Sequence, residues 1–428
     1  MKQLIEQRKI SKLQYATIFI CFVMNILDGM DVLVISYCAP AIAQSWSVSP
    51  ETLGMVFSAG LAGMAIGALL LAPYADNIGR KKIILLSAFL IGISLFLTAY
   101  ADNVLHLIML RFLSGLGIGS MLASTAALTA EYTPNKSKDF WVSFVIGGYP
   151  VGAIMAGYIA AYVIPSFGWQ LMFKLAGLAS LITLPLIYFF LSESIEFYLK
   201  KQPKAALGKV NQILRKIQLP LLTKLPKKQP KNLGIPVNQL FTKEFKKSTL
   251  QLWTALFFAF GCLYFLISWI PKLSSNAGLS MELAIYTGTV FNIGAFIGVI
   301  TQGYISSKIG LKNTIALFLI STAVLMAVFN IFIGSDVLLF IFGLLGFAVQ
   351  GGFVGLYVVA ARMYPTEFRT TGIGWAIGAG RLGGVLGPAL GGILVGMGLT
   401  MATNFLIFAL PALLAGLFAY FISSKEIT

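Results

Sequence analysis

Ala72-Pro73-Tyr74-Ala75-Asp76-Asn77-Ile78-Gly79-Arg80-Lys81 closes one long apolar segment, and Gly303-Tyr304-Ile305-Ser306-Ser307-Lys308-Ile309-Gly310-Leu311-Lys312 closes another. The glycine and the last lysine fall at the same offsets in both. A second pair of stretches matches in the same way: Gly152-Ala153-Ile154-Met155-Ala156-Gly157 against Gly387-Pro388-Ala389-Leu390-Gly391-Gly392. Self-similarity between two halves of a chain marks an internal repeat, and here the repeated unit is a set of apolar spans.

The chain has 428 residues, 58% of them hydrophobic and 11% charged. A soluble core cannot hide that much apolar surface, so the class is a polytopic, all-α membrane protein. Windows of about 20 apolar residues give twelve spans, at 15–38, 52–73, 82–101, 105–130, 140–163, 169–191, 250–271, 283–305, 313–333, 337–361, 371–396 and 400–423. The expected domains are therefore an N-terminal six-helix bundle (1–191), a basic linker (192–249) and a C-terminal six-helix bundle (250–428). Two such repeats are the layout of a transporter whose substrate site lies between the halves near the bilayer midplane. The first apolar run is too long for a cleaved signal peptide and is read as retained.

The net charge of +16 is distributed as topology rather than as a nucleic-acid footprint. The N-terminus, Arg80-Lys81-Lys82, Lys136 and Lys138, the linker bases from Lys200 to Lys247, Lys308 and Lys312, Arg362 and Arg369, and Lys425 all fall on one side. Arg111, Lys174, Lys272 and Arg381 fall elsewhere. By the positive-inside rule both termini are cytoplasmic. The linker then lies along an anionic membrane surface or serves topology alone. Cys21, Cys38 and Cys262 form no spaced metal set, and His106 is the single histidine, so neither a metal site nor a disulfide framework is expected.

Within the first span, Asn25-Ile26-Leu27-Asp28-Gly29-Met30-Asp31 places two acids where lipid makes charge expensive. Their i,i+3 spacing puts both on one helix face. Two carboxylates about 6 Å apart at an effective dielectric near 20 repel by about 3 kcal/mol, enough to keep one protonated part of the time. Such a pair titrates as a unit. It reads as a proton-coupling element, against a plain structural ion pair with Arg111.

Several motifs carry a family resemblance. Asp76, Gly79, Arg80 and Lys81 resemble the loop signature between the second and third helices of the major facilitator superfamily, with Ala72 and Asn77 as departures. Arg111-Phe112-Leu113-Ser114-Gly115-Leu116-Gly117-Ile118-Gly119 is similar to that superfamily's fourth-helix motif. Asp28-Gly29-Met30-Asp31, Ala39-Pro40, Glu131-Tyr132-Thr133-Pro134, Ile164-Pro165, Gly168-Trp169, Ser192-Glu193-Ser194, Ser268-Trp269-Ile270-Pro271, Tyr364-Pro365-Thr366 and Gly380-Arg381 resemble its aromatic acid/proton symporters. The resemblance implies import of a benzoate-like carboxylic acid with protons by alternating access. It also implies a bacterial inner (plasma) membrane location, no cofactor beyond the proton gradient, and no enzymatic step. An aliphatic dicarboxylate such as muconate, or export of cationic drugs by the same fold, are the alternatives. A monomer is expected, with the substrate, protons and the lipid bilayer as partners and no nucleic acid.

The candidate site residues follow. A carboxylate substrate needs a cationic fork, and arginine supplies one that stays charged. Arg381 is assigned to the substrate and Arg111 to the first-span acids, with the reverse left open. By the resemblance, Tyr264, Trp269, Asn292, Gln350 and Tyr357 lie on helices that face the cavity; lipid-facing packing is the plain alternative for each aromatic. Asp76, Gly79, Arg80 and Lys81 are expected to form a conformational latch, with Arg80 reaching Glu131 and Asp76 capping a helix or pairing with a base of the second half. Gly148 and Gly152 on the fifth span, and Gly383, Gly387 and Gly391 on the eleventh, allow close helix approach. They are expected to form a sliding interface between the halves.

Overall fold

A computed structural model describes residues 10–134, 137–226, 237–335, 337–364 and 369–422, without the side chains of Asp139, Val237, Arg369 and Thr370. Lys136, Lys227, Lys228, Lys231 and Lys425, counted above for topology, and Pro365 and Thr366 lie outside the described residues, as does the Arg369 side chain.

The described chain is helical throughout. The first half contributes α1 (Lys12–Trp46), α2 (Pro50–Ile78), α3 (Arg80–Thr98), α4 (Val104–Tyr132), α5 (Phe140–Phe167) and α6 (Trp169–Phe190). Two short helices, α7 (Ile195–Lys201) and α8 (Ala206–Lys216), begin the linker. Then come α9 (Lys246–Asn276), α10 (Met281–Ile309), α11 (Leu311–Ala327), α12 (Leu338–Met363), α13 (Arg369–Gly396) and α14 (Met401–Tyr420). Eleven of these are long and apolar enough to cross a membrane, and α11 is apolar but only 17 residues long. The expected ninth span, 313–333, is cut short because the chain leaves the helix at Val328 for a 3₁₀ turn over Phe329–Phe332. Seventeen residues still reach the lower end of the spanning range.

Contacts group the chain into two compact units. The first comprises Met1–Val32, Gly63–Gly152 and Phe173–Lys231; the second comprises Leu33–Ala62, Ala153–Met172 and Asn232–Thr428. Glycine decides the packing of the first. A Cβ at Gly29 would strike the carbonyl of Tyr149, one at Gly152 the carbonyl of Ile26, and one at Gly148 the backbone of Phe22 and Ile26. So α1 and α5 lie backbone to backbone. The alternating glycines of α4 serve two neighbours. Gly119 meets Met64 of α2, and Gly115 lies against Gly63 of the same helix, whereas Gly117 meets Ser87 and Ile91 of α3.

In the second unit, Gly383 abuts the carbonyl of Phe257, Gly387 that of Gly261, and Gly391 the rings of Phe265 and Trp269. The expectation of a sliding interface between the halves is therefore corrected. Gly148 and Gly152 join α5 to α1, and Gly383, Gly387 and Gly391 join α13 to α9, each inside its own half of the sequence. Other residues, within the second unit, join the halves. Gly54 of α2 abuts Pro388 and Gly392 of α13, Gly157 of α5 abuts Thr289 of α10, and Gly288 abuts Tyr37 of α1.

A proline sets one of the polar contacts there. Pro271 has no N–H to give the carbonyl of Ile267, so that oxygen would be orphaned in an apolar medium. Ser36 of α1 supplies the donor instead, its hydroxyl lying 2.7 Å from Ile267 O and 3.0 Å from Ser268 O. Ser58 donates to the carbonyl of Val385 at 2.6 Å.

Gly152→Val and Gly383→Val each put a side chain into a facing backbone and should destabilise the protein by about 1–3 kcal/mol or more. Gly374→Ala, whose Cβ would meet nothing within 4 Å, should leave the melting temperature in detergent unchanged. Equal melting temperatures for all three variants would refute this account of the packing.

Candidate functional site

Asp28 and Asp31 of α1 are 1% and 0% exposed, and Arg111 of α4 is 3% exposed. Arg111 forms an ion pair with Asp31 through Nη1, and its Nη2 donates to the Asp31 carbonyl at 3.2 Å. Neither carboxylate oxygen of Asp28 has a hydrogen-bond partner among the described residues, and Asp31 Oδ2 and Arg111 Nε are likewise unpartnered. The bases here are one short of the acids. An ion pair nearly cancels its own charge, but a second buried carboxylate has to be neutralised some other way, and a proton is the smallest agent that does it.

Arg381 of α13 is half-buried, with its Nε enclosed and unpartnered. Its charge acts on the hydroxyls of Tyr264 on α9 and Tyr357 on α12. Each tyrosine has a phenylalanine one turn earlier. Phe260 stacks on Tyr264 with centroids 5.8 Å apart, and Phe353 meets Tyr357 edge-on at 5.3 Å. Phe260 and Phe353 are themselves 4.7 Å apart. A guanidinium near two tyrosines, each backed by a phenylalanine, is chemically matched to a carboxylate carried on an aromatic ring. Phe260 and Phe353 escaped the sequence reading, although Phe-x-x-x-Tyr on both the seventh and tenth spans was a legible signal. Gln350, seven residues before Tyr357 on α12, is half-buried.

Two of the expected wall residues are committed to packing. Trp269 is fully buried and donates its indole N–H to the Pro388 carbonyl at 2.9 Å, with Phe57 edge-on at 5.3 Å. Asn292 donates to the Gly288 carbonyl at 2.8 Å and hydrogen-bonds the hydroxyl of buried Tyr37, which also reaches Thr289 and the Ala153 carbonyl.

The loop residues form a cluster within the first unit. Arg80 pairs with Glu131 of α4 and lies 3.6 Å from Asp76 and 3.8 Å from Glu196. Ser194 donates to both oxygens of Glu131, at 2.9 and 2.8 Å. Gly79 adopts φ of +112°, and a Cβ there would strike the carboxylate of Glu193. That carboxylate accepts the Lys81 backbone N–H at 3.0 Å, and Lys81 Nζ reaches the Tyr188 carbonyl at 2.7 Å. Asp76 is 68% exposed and, within the first unit, lies beside Arg80 one turn on. Glu193 and Ser194 were visible in the sequence as a motif, but nothing in their spacing revealed that they receive the loop.

These features define a class, a multi-pass helical membrane transporter. Comparison with known proteins makes the class specific. The model of the Major Facilitator Superfamily matches residues 21–343 and 288–427. The gallate transporter of Pseudomonas putida is 32% identical over 97% of this chain and 93% of its own length. The 4-hydroxybenzoate transporter PcaK of Acinetobacter baylyi is 34% identical over 98% of this chain and 93% of its own. Among solved structures, the xylose transporter XylE of E. coli in an inward-open conformation superposes with a TM-score of 0.74 at 17% identity, covering 97% of this chain and 99% of that one. The chain belongs to the Major Facilitator Superfamily.

Removing one member of the Asp31–Arg111 pair leaves a buried charge unpaired, which costs about 3–5 kcal/mol. Asp31→Asn and Arg111→Gln should each lower the melting temperature in detergent, and the double variant should recover most of the loss. If the double variant is as unstable as the sum of the single ones, the two residues do not act as a pair.

Proposed function

We propose that this protein imports an aromatic carboxylic acid together with protons by alternating access in a cell inner (plasma) membrane. In this reading both termini and the Arg80 cluster face the cytoplasm, the chain works as a monomer, and the proton gradient is the energy source. It needs no cofactor and is not an enzyme. The observation that carries the reading is Asp28, a fully buried carboxylate with no partner beside an ion pair that already occupies the nearby arginine. Arg381, with Tyr264 and Tyr357 in reach of its charge, supports the substrate class, as do relatives named for gallate, 4-hydroxybenzoate and benzoate.

Protonation of Asp28 and docking of a carboxylate at Arg381 each neutralise one buried charge. A carrier with both charges neutralised can change conformation, whereas one with an unpaired charge meets a desolvation barrier. One proton per monoanion moves no net charge and draws on the pH gradient alone. Each further proton adds about 2.3 kcal/mol per 100 mV of membrane potential.

The test is uptake of labelled benzoate, 4-hydroxybenzoate and muconate into proteoliposomes under an imposed inward proton gradient. Aromatic monocarboxylates should accumulate and collapse of the gradient should abolish the accumulation. Asp28→Asn should lose gradient-driven accumulation while keeping exchange of labelled for unlabelled substrate. Arg381→Gln should lose both, by about tenfold or more. Uptake that survives gradient collapse, or a wild-type response in Asp28→Asn, would sink the symport mechanism.

A further inference from the structure

Asn25 stands one turn before Asp28 on α1, at the i,i+3 spacing that places side chains side by side. It is fully buried. Both hydrogens of its amide are spoken for: Nδ2 donates to the Cys21 carbonyl at 2.9 Å and to the Thr125 hydroxyl of α4 at 3.1 Å. Those two bonds fix which way the amide faces. What remains is Oδ1, buried and without a partner, as are both oxygens of Asp28. Two acceptor groups without a hydrogen-bond partner among the described residues thus stand one turn apart on the same face of α1.

Unsatisfied acceptors at that depth are costly, and two of them in register call for one shared hydrogen. We propose that Asn25 is a positioning residue for the transported proton, its Oδ1 accepting the O–H of protonated Asp28. The deeper assignment rests on Asp28 being the proton site. When Asp28 carries the proton, its hydroxyl donates to Asn25 Oδ1 and both acceptors are served by one hydrogen. When the proton leaves to water, that bond is lost and a carboxylate faces the negative end of an amide dipole. Asn25 therefore distinguishes the loaded from the unloaded carrier, which an ordinary packing residue does not do.

Other groups around Asp28 do not take this role. Asp31, on the same helix, is held by Arg111, the charged residue that α4 brings to this place. From α5, Tyr149 lies against Gly29 through its backbone and is its titratable neighbour here. From α6 the contact is Thr183, which reaches the Met24 sulfur at 3.9 Å and is uncharged. Cys21 spends its side chain on Thr129.

The experiment measures initial uptake of 4-hydroxybenzoate against external pH in proteoliposomes at fixed internal pH. Asn25→Leu keeps the branched shape and removes the acceptor together with the amide donors; Asn25→Ser also removes those donors but keeps a small acceptor. For Asn25→Leu the pH of half-maximal uptake should move about one unit lower, the equivalent of one hydrogen bond to a neutral partner. Asn25→Ser should restore most of that shift. Exchange of labelled for unlabelled substrate at saturating proton should be unchanged in both, which establishes that they fold and bind. A wild-type pH midpoint in Asn25→Leu overturns the proposal, and so does an equal shift in both variants. If Asp28→Asn itself keeps the wild-type pH profile, the proton site lies elsewhere and the symport reading fails with it. If Asp28→Asn loses its pH dependence and Asn25→Leu does not shift, this inference alone fails.

Discussion

One arginine for two acids is the constraint on which the first unit depends. In water the mismatch would be trivial, but in a span buried among helices an unpaired carboxylate has no screening and few donors. Arg111 goes to Asp31, binding its side chain and its carbonyl together, which leaves Asp28 without a partner among the described residues. Gly29, Gly148 and Gly152 let α1 and α5 close backbone to backbone, so the contact beside the acid is made of backbone rather than of donor side chains. Tight glycine packing and an orphan acid are therefore two sides of one arrangement.

The second unit carries the opposite imbalance. Arg381 has no ion pair among the described residues, and its Nε is enclosed. The tyrosines on which its charge acts, Tyr264 and Tyr357, bring no negative charge. A cation in such surroundings is stabilised most completely by a carboxylate. A buried carboxylate without a hydrogen-bond partner in one unit and a guanidinium without an ion pair in the other are thus complementary features of the described residues.

Much of this was legible in the sequence because the signals were strong and local. Twenty-residue apolar runs have few alternatives, and charge inside one of them stands out, so the spans and the Asp28–Asp31 pair could be read directly. The partners of those residues were harder, since a side chain's partner is set by helix rotation and tilt that apolar periodicity hardly constrains. Trp269 shows the difficulty. It was expected beside the substrate, but its N–H goes to the Pro388 carbonyl and its ring is fully enclosed. The glycine ladders were recognised as contact surfaces, but not what they touch. Gly54 and Gly392, which do join the halves, look in sequence like any other glycine. The short α11 was missed because hydropathy does not register a turn at Val328 inside an apolar run.

The contacts that join the two halves of the sequence within the second unit differ in kind from the Asp31–Arg111 pair. They include hydrogen bonds from Ser36 and Ser58 to main-chain carbonyls, together with glycine contacts at Gly54, against backbone, and at Gly157, against the Thr289 side chain. A buried ion pair is costly to separate, by about 3–5 kcal/mol, whereas a neutral hydrogen bond exchanged for one to water costs only about 0.5–1.5 kcal/mol. An alternating-access cycle has to make and break contacts between halves on every turn. Bonds to carbonyls suit that demand, because a carbonyl released to a water-filled opening finds a new donor at once. The Asp31–Arg111 pair lies inside one half, where a rigid-body motion of that half would leave it intact. The contacts that Ser36 and Ser58 make across the halves are of the cheaper, neutral kind.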